Sequence, residues 1–488
     1  MTATSDIVAK LWNLCHVLRD DGITYHQYVT ELTYLLFLKM AEETGTEETE
    51  RGVNIPAGYR WADLKGQEGN DLLIFYKLTL ITLGQKGSAR VRAIYENAQT
   101  TLSKPRNLKI LVDSIDKLDW YDAKREGLGD LYEGLLAKNA DEKKSGAGQY
   151  FTPRPLIDSM VHLVKPRPKE VIQDPAAGTG GFLIAAHRAI CDQTNDLYDL
   201  HDAEAYWQRH NALTGMELVH DTHRLALMNL MLHGIESELT LGDTLSNKGR
   251  ELGQANVILT NPPFGTKKGG GLPTRDDFTY LTSNKQLAFL QHIYRALEPG
   301  GRAAVVLPDN VLFEDGRGVE IRRDLMDKCD LHTILRLPTG IFYSQGVKTN
   351  VLFFTRGQTD KGNTGDVWVY DLRSNMPQFG KTRPLRREHF AAFEAAFGPD
   401  PLGKAPRTDE GEQGRFRRFT REQIATRSDN LDIAWLRDEG ANEVLPEPDV
   451  IATEIIDTLR TALEEMEALA GMLGPDEDAD GGVAEAAE

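Results

Sequence analysis

Between positions 171 and 370 short apolar runs alternate with stretches of helical periodicity, and nothing else in the chain constrains its fold as tightly. The apolar runs lie at 171–173, 214–216, 239–241, 257–260, 303–307, 333–335, 351–355 and 367–370. The helical patterns lie at 155–164, 182–189, 221–232, 286–297 and 318–326. Strands and helices in alternation predict an α/β unit with a mostly parallel, doubly wound sheet. Such a sheet binds its ligands at the carboxyl ends of its strands.

The flanking segments read differently. Residues 1–140 form a helical domain: Ile7, Leu11, Leu14 and Leu18 recur at helical spacing, as do Val29, Leu32, Leu36 and Met40. A polar, glycine-containing connector at 141–148 opens the catalytic unit, 141–375. A basic, weakly patterned extension follows at 376–440. Residues 441–474 carry an apolar seam (Ala452, Ile455, Leu459, Ala462, Met466, Leu469, Leu473) that predicts an amphipathic C-terminal helix for packing or partner docking. The acidic tail at 475–488 is expected to be disordered.

No apolar stretch of about 18 residues is present, so no membrane association is expected. The N-terminus has no secretory pattern, and Cys15, Cys191 and Cys329 are scattered. They make neither a disulfide framework nor a metal cluster, and the expected compartment is the cytoplasm. The net charge of −18 argues against a nucleic-acid binder until its distribution is considered. From Asp438 onward there are sixteen acidic residues and one basic residue, Arg460, which leaves the other 437 residues near −3. Between Arg373 and Arg421 eleven basic residues face six acidic ones. A DNA substrate remains compatible, with a second, more basic chain expected to supply most of the phosphate contacts.

Three successive strands are expected to end in acids beside one crevice. The first runs into Asp174-Pro175-Ala176-Ala177-Gly178-Thr179-Gly180-Gly181-Phe182. Glycines there allow a tight turn and close approach of the backbone to a ligand. Alone, this loop suits a nicotinamide cofactor, S-adenosylmethionine or a plain structural turn. Glu217, ending the second strand, is placed to accept two ribose hydroxyls. It lies well beyond the spacing of a dinucleotide fingerprint. Asp243, ending the third, is placed to accept from an adenine amino group. Each acid alone is more often a turn or cap residue; in this order they point to a nucleoside cofactor.

Asn261-Pro262-Pro263-Phe264 follows the apolar run 257–260 directly. A rigid strand-ending turn explains the prolines but not the aromatic. An exocyclic amino nitrogen is a poor nucleophile because its lone pair is delocalised. Two acceptors aimed at its hydrogens, the Asn261 side-chain oxygen and the Pro262 carbonyl, localise that pair toward an electrophile. The prolines hold the carbonyl rigidly, and Phe264 can stack on a base drawn from its helix. Upstream, in Gln149-Tyr150-Phe151-Thr152-Pro153-Arg154, Thr152 is a candidate helix N-cap, and Tyr150 and Phe151 can cover a cofactor.

These elements, in this order, resemble the gamma-type DNA adenine N6-methyltransferases. More closely, the chain is similar to the modification (M) subunit of type I restriction–modification systems. The specific signs are GQYFTPR at 148–154, DPAAGTGGFL at 174–183 and QLAFLQHIYRALEPGGRAAVVLPDNVLF at 286–313. Ala177 departs from the cysteine of many relatives. The resemblance implies an S-adenosylmethionine-dependent methyltransferase sheet behind a helical domain, methylating N6 of an adenine flipped from double-stranded DNA. It implies that Gln149, Tyr150, Phe151, Thr152, Pro153 and Arg154, with Asp174, Gly178, Thr179, Gly180, Glu217 and Asp243, serve the cofactor. Asn261, Pro262, Pro263 and Phe264 would hold the target base. It also implies two such subunits beside one specificity subunit, and a restriction and translocation subunit that can join them. No GxxxxGK[ST] loop occurs, so ATP use would belong to that other chain. Residues 265–271 (GTKKGGG) read as a linker or a DNA-contacting flap. Two other readings are methylation of a protein glutamine amide, whose nitrogen is equally delocalised, and a catalytically silent cofactor-binding scaffold.

Overall fold

The computed structural model describes residues 3–15, 18, 22–47, 54–120, 127–142, 152–265, 272–342, 347–377, 379–380 and 383–436. The C-terminal helix and acidic tail expected at 441–488, the flap at 266–271, and Gln149, Tyr150 and Phe151 lie outside the described residues.

The N-terminal part is helical, as its periodicity requires. The helix Tyr25–Thr44 begins at a capping box: Thr24 accepts from the Gln27 N–H, and the Gln27 side chain accepts in return from the Thr24 N–H. It ends at Gly45, whose φ of +65° turns the chain out of the helix. Leu32, Leu35, Leu36 and Phe37 on this helix are buried, and the Tyr34 and Tyr95 rings stack with centroids 5.4 Å apart.

Two arginines fasten this layer to the catalytic unit. Arg90 donates to the carbonyls of Ile235 (2.6 Å) and Ser237 (3.0 Å). Arg224, buried on the helix His220–Leu232, donates to the carbonyls of Ile94 (2.6 Å) and Glu96 (2.8 Å) and lies over the Tyr34 ring. Each guanidinium gives donors to two backbone carbonyls across the boundary between the layers.

All eight apolar runs are strands of one nine-stranded sheet: β1 (Ile172–Asp174), β2 (Leu213–Glu217), β3 (Thr240–Leu241), β4 (Ala255–Thr260), β5 (Leu297–Pro308), β6 (Cys329–Arg336), β7 (Thr349–Arg356) and β8 (Asp366–Asp371). The ninth, β9 (Phe416–Thr420), comes from the weakly patterned 376–440 segment. The spatial order is β3-β2-β1-β4-β5-β7-β6-β8-β9. Strands β1 to β5 pair in parallel, and β6 with β8; β7 runs antiparallel to β5 and β6, and β9 antiparallel to β8. The sequence does not announce β9 because it is an edge strand, Phe-Arg-Arg-Phe-Thr, with Phe416 buried on the sheet and Arg418 exposed. The helices Arg154–Val164, Gly181–Gln193, His220–Leu232, Lys285–Ala296 and Arg317–Lys328 stand where helical periodicity placed them.

One local expectation is corrected. The helix Arg154–Val164 has Pro153 at its N-cap with no side-chain cap bond, so Thr152 is not the cap. Proline one residue further along already fixes the entry geometry, which leaves the Thr152 hydroxyl free for another partner. Among the described residues no helix is long and apolar enough to cross a membrane.

Candidate active site

The sheet changes direction beside β1. From β1 the chain steps outward to β2 and β3, then returns to build β4 and β5 on the other side. The loop after β1 therefore sits at a topological switch point, where neighbouring connections leave in opposite directions and a crevice opens. Gly178 (φ +53°) and Gly180 (φ +83°) turn this loop, and Gly180 is the N-cap of the helix Gly181–Gln193. A Cβ on Gly178 would meet nothing within 4 Å, so its backbone faces open space. Gly215 is needed for the opposite reason. A Cβ there would lie 2.8 Å from the Asp174 carbonyl oxygen and 2.7 Å from Leu239, in the register where Asp174 pairs with Gly215.

The three acids do stand at the carboxyl ends of adjacent strands, yet their environments differ. Asp174 is buried, and one carboxylate oxygen accepts from the Ala176 N–H at 3.1 Å. Burial pushes its pKa up to about 7. Glu217 is half-buried and accepts from two backbone N–H groups, Gly178 at 2.9 Å and Val219 at 2.8 Å. Burial raises its pKa as well, with those donors opposing the rise. Asp243 is half-buried and accepts from the Leu245 N–H at 2.9 Å. Asp174 thus fastens its own loop from within, while Glu217 is the acid that meets the glycine turn.

Two residues not singled out in the sequence hold the same loop. The Thr244 hydroxyl donates to the Pro175 carbonyl at 2.6 Å, and the Asn229 amide donates to the Thr179 carbonyl at 3.0 Å. Asn229 carried a signal: it is a buried polar residue within the apolar stretch Leu225–Leu230. Thr244, at a strand end, carried none.

Asn261 follows the last residue of β4 and is 6% exposed. Its side-chain Nδ2 donates to the Thr152 hydroxyl at 3.0 Å. Its Oδ1 is buried and, among the described residues, accepts no hydrogen bond. Pro262 is buried; Pro263 and Phe264 are half-buried. The Phe264 ring stands edge-on to Phe342, with centroids 6.3 Å apart. Arg154 is directed elsewhere: it pairs with Glu133 at 2.6 Å and Asp158 at 3.4 Å. A buried acceptor without a partner among the described residues at the end of β4, two strands from a carboxylate that meets a glycine turn, has the chemistry to bind an amino group across from a nucleoside.

The N-6 DNA methylase family pattern matches residues 123–440, and the HsdM N-terminal domain pattern matches residues 7–115. The chain belongs to the N-6 DNA methylase family. It is 52% identical over 518 aligned residues to the type I restriction enzyme EcoKI methylase subunit of Escherichia coli K12, covering 98% of this chain and 97% of that one. The crystal structure of the EcoKI M protein matches with a TM-score of 0.58 at 48% identity, covering 97% and 98% of the two chains. A second solved structure comes from work on complex assembly and conformational transition of the type I R-M system. It matches with a TM-score of 0.70 at 26% identity, covering 99% and 100%. As an N-6 DNA methylase, the chain unites the HsdM-type helical layer with a mixed methyltransferase sheet, the two-part architecture expected from the sequence. These likenesses do not favour the glutamine-methylating reading.

Proposed function

We propose that this type I methylase subunit methylates N6 of an adenine flipped from double-stranded DNA, with S-adenosylmethionine as donor, inside a complex whose specificity subunit reads the sequence. The observation that carries the reading is the buried Oδ1 of Asn261 at the carboxyl end of β4, which has no partner among the described residues. A chain tolerates such an acceptor where a ligand's donor completes it.

The residues fit the cofactor. Glu217 has the carboxylate chemistry to accept ribose hydroxyls, the backbone at Gly178 is open for close approach, and Asp243 is exposed enough to accept from the cofactor's adenine. S-adenosylmethionine supplies an electrophilic methyl group carried on a sulfonium. On the other side, Asn261 Oδ1 and the Pro262 carbonyl accept the two hydrogens of the target amino group and draw its nitrogen toward tetrahedral geometry. Phe264, braced by Phe342, offers a face to the extruded base. The sulfonium–methyl bond would break as the nitrogen–methyl bond forms, leaving a neutral thioether, and the amino nitrogen would then lose its proton to water, so no strong base is needed at the nitrogen beforehand. Alignment and electrostatics do the catalysis. Two methylase subunits beside one specificity subunit, joined at times by a restriction subunit, suit a chain whose own charge is too acidic to grip DNA unaided.

Labelled S-adenosylmethionine, mixed-sequence duplex DNA and nucleoside analysis test this. N6-methyladenine is expected when the specificity partner is present. Asn261→Ala is expected to abolish transfer with cofactor affinity unchanged. Label in protein instead of DNA would refute the substrate. Product from the chain alone would refute the division of labour, and full activity in Asn261→Ala would refute the role of that residue.

A further inference from the structure

We propose that Thr152 is a positioning residue for methyl transfer, its hydroxyl anchoring Nδ2 of the Asn261 amide while Oδ1 meets the target amino group. This rests on the reading of Asn261 given above and extends it to a residue that the sequence assigned to the cofactor.

The bond joins two parts of the chain 109 residues apart, and both ends are buried: Thr152 is 8% exposed and Asn261 6%. The hydroxyl is available because Pro153, not Thr152, occupies the N-cap of the following helix. It is also rigid. A residue before proline is confined to extended backbone, and a β-branched side chain is stiff about χ1. The segment preceding the helix Arg154–Val164 therefore reaches across to the turn after β4 and presents one fixed oxygen to Asn261.

An amide has one accepting end and one donating end. Turned over, Asn261 would set its NH2 against the hydrogens of the target amino group, donor against donor. A hydroxyl can receive either end of the amide, so the target amino group, which only donates there, selects the orientation in which Thr152 accepts from Nδ2 and Oδ1 stays open. The anchor gains strength as the reaction proceeds. Positive charge grows on the target nitrogen, the amide shifts electron density from Nδ2 toward Oδ1, and the Nδ2–H becomes a better donor. The Thr152 oxygen receives that donor, so the two hydrogen bonds reinforce one another. An interaction that strengthens toward the transition state appears in the rate of transfer, not in the affinity for the cofactor.

The test uses the full chain assembled with its specificity partner on cognate duplex, with S-adenosylmethionine affinity measured separately by calorimetry. Thr152→Val keeps the volume and the β-branch but removes the acceptor. It is expected to slow single-turnover methyl transfer about ten- to a hundredfold, with the cofactor dissociation constant within about twofold of wild type. Thr152→Ser restores the hydroxyl and should recover most of the rate, which separates loss of the bond from misfolding. In an Asn261→Ala background Thr152→Val should have little further effect on the melting temperature, because the bond is already gone. A Thr152→Val enzyme with full transfer rate overturns the proposal. So does one whose only defect is weakened cofactor binding, which would return Thr152 to the cofactor. Full activity in Asn261→Ala would instead overturn the reading beneath it.

Discussion

Replacing Asp174 by Asn should stabilise the protein, and by an amount that grows with pH. The carboxyl is buried, and its pKa rises from an ordinary value near 3.8 to about 7, chiefly through loss of water. In the unfolded chain the same group titrates near its ordinary value. At pH well below 4 both states hold the proton and the shift has no effect on stability. Between about pH 4 and 7 the unfolded chain has released its proton while the folded chain keeps it, so stability falls as pH rises. Above 7 the loss is complete, on the order of 4 kcal/mol at about 1.4 kcal/mol per tenfold change in proton affinity. Asparagine keeps an oxygen to accept from the Ala176 N–H and carries no charge to desolvate. By the same relation the penalty is already about 2 kcal/mol at pH 5. The advantage of the variant should therefore widen by about 2 to 3 kcal/mol between pH 5 and pH 8. That corresponds to a few degrees in melting temperature, on the order of 4 °C at a matched scan rate. Melts without cofactor at several pH values measure it. A difference constant with pH, or a variant less stable throughout, would show that burial of a charge is not what perturbs Asp174.

Glu217→Gln retains an acceptor for one of the two N–H groups that Gly178 and Val219 present, but loses the charge and the second acceptor. Its dissociation constant for S-adenosylmethionine, read by calorimetry, should rise roughly ten- to a hundredfold; an unchanged constant would remove Glu217 from the cofactor site. Arg224→Ala strips donors from the carbonyls of Ile94 and Glu96 and a cation from the face of Tyr34. Loss on the order of 3 kcal/mol is expected, seen as a lower melting temperature and faster proteolysis between the helical layer and the sheet. A melting temperature within a degree of wild type would refute that fastening role.

What the sequence revealed follows physical lines. β4, Val-Ile-Leu-Thr before Asn261, was legible because a strand buried on both faces is a continuous apolar run bounded by a turn. β9 was hidden because each of its faces carries one aromatic and one arginine, Phe416 with Arg418 and Phe419 with Arg417, so no apolar alternation shows. The reversed direction of β7 was equally invisible: Thr349–Arg356 has the same apolar content whichever way it runs. At the site, residue types marked three acids and one asparagine as candidates, but not what each touches. Arg154 sits in the motif yet turns to Glu133, and Thr152 looks like a cap yet serves Asn261, because both depend on where a remote segment arrives. Contacts across 21 residues in the first case and 109 in the second leave no mark in local periodicity.

Strand register explains why the acids and Asn261 form a cleft and not merely a row. Asp174 pairs with Gly215 on β2, so Glu217 stands two residues further out. On the other side Gln173 pairs with Ile258 of β4, which sets Asp174 level with Leu259 and Asn261 again two residues beyond. At about 3.3 Å per residue both overhang Asp174 by about 7 Å. β1 is three residues long and stops at Asp174, where the glycine-rich loop leaves the sheet. Its neighbours continue past it as walls two strand spacings apart, roughly 10 Å. Glu217 stands on one wall and Asn261 on the other. On the proposed reading, a nucleoside held by the first and an amino group held by the second would face each other across the space that a longer β1 would have filled. The prolines after Asn261 then have a structural purpose of their own. A slip of β4 by a single residue would carry Asn261 about 3.3 Å along the strand and onto the opposite face of the sheet. A turn with two fixed φ angles directly after the strand holds the acceptor pair at one height on that wall.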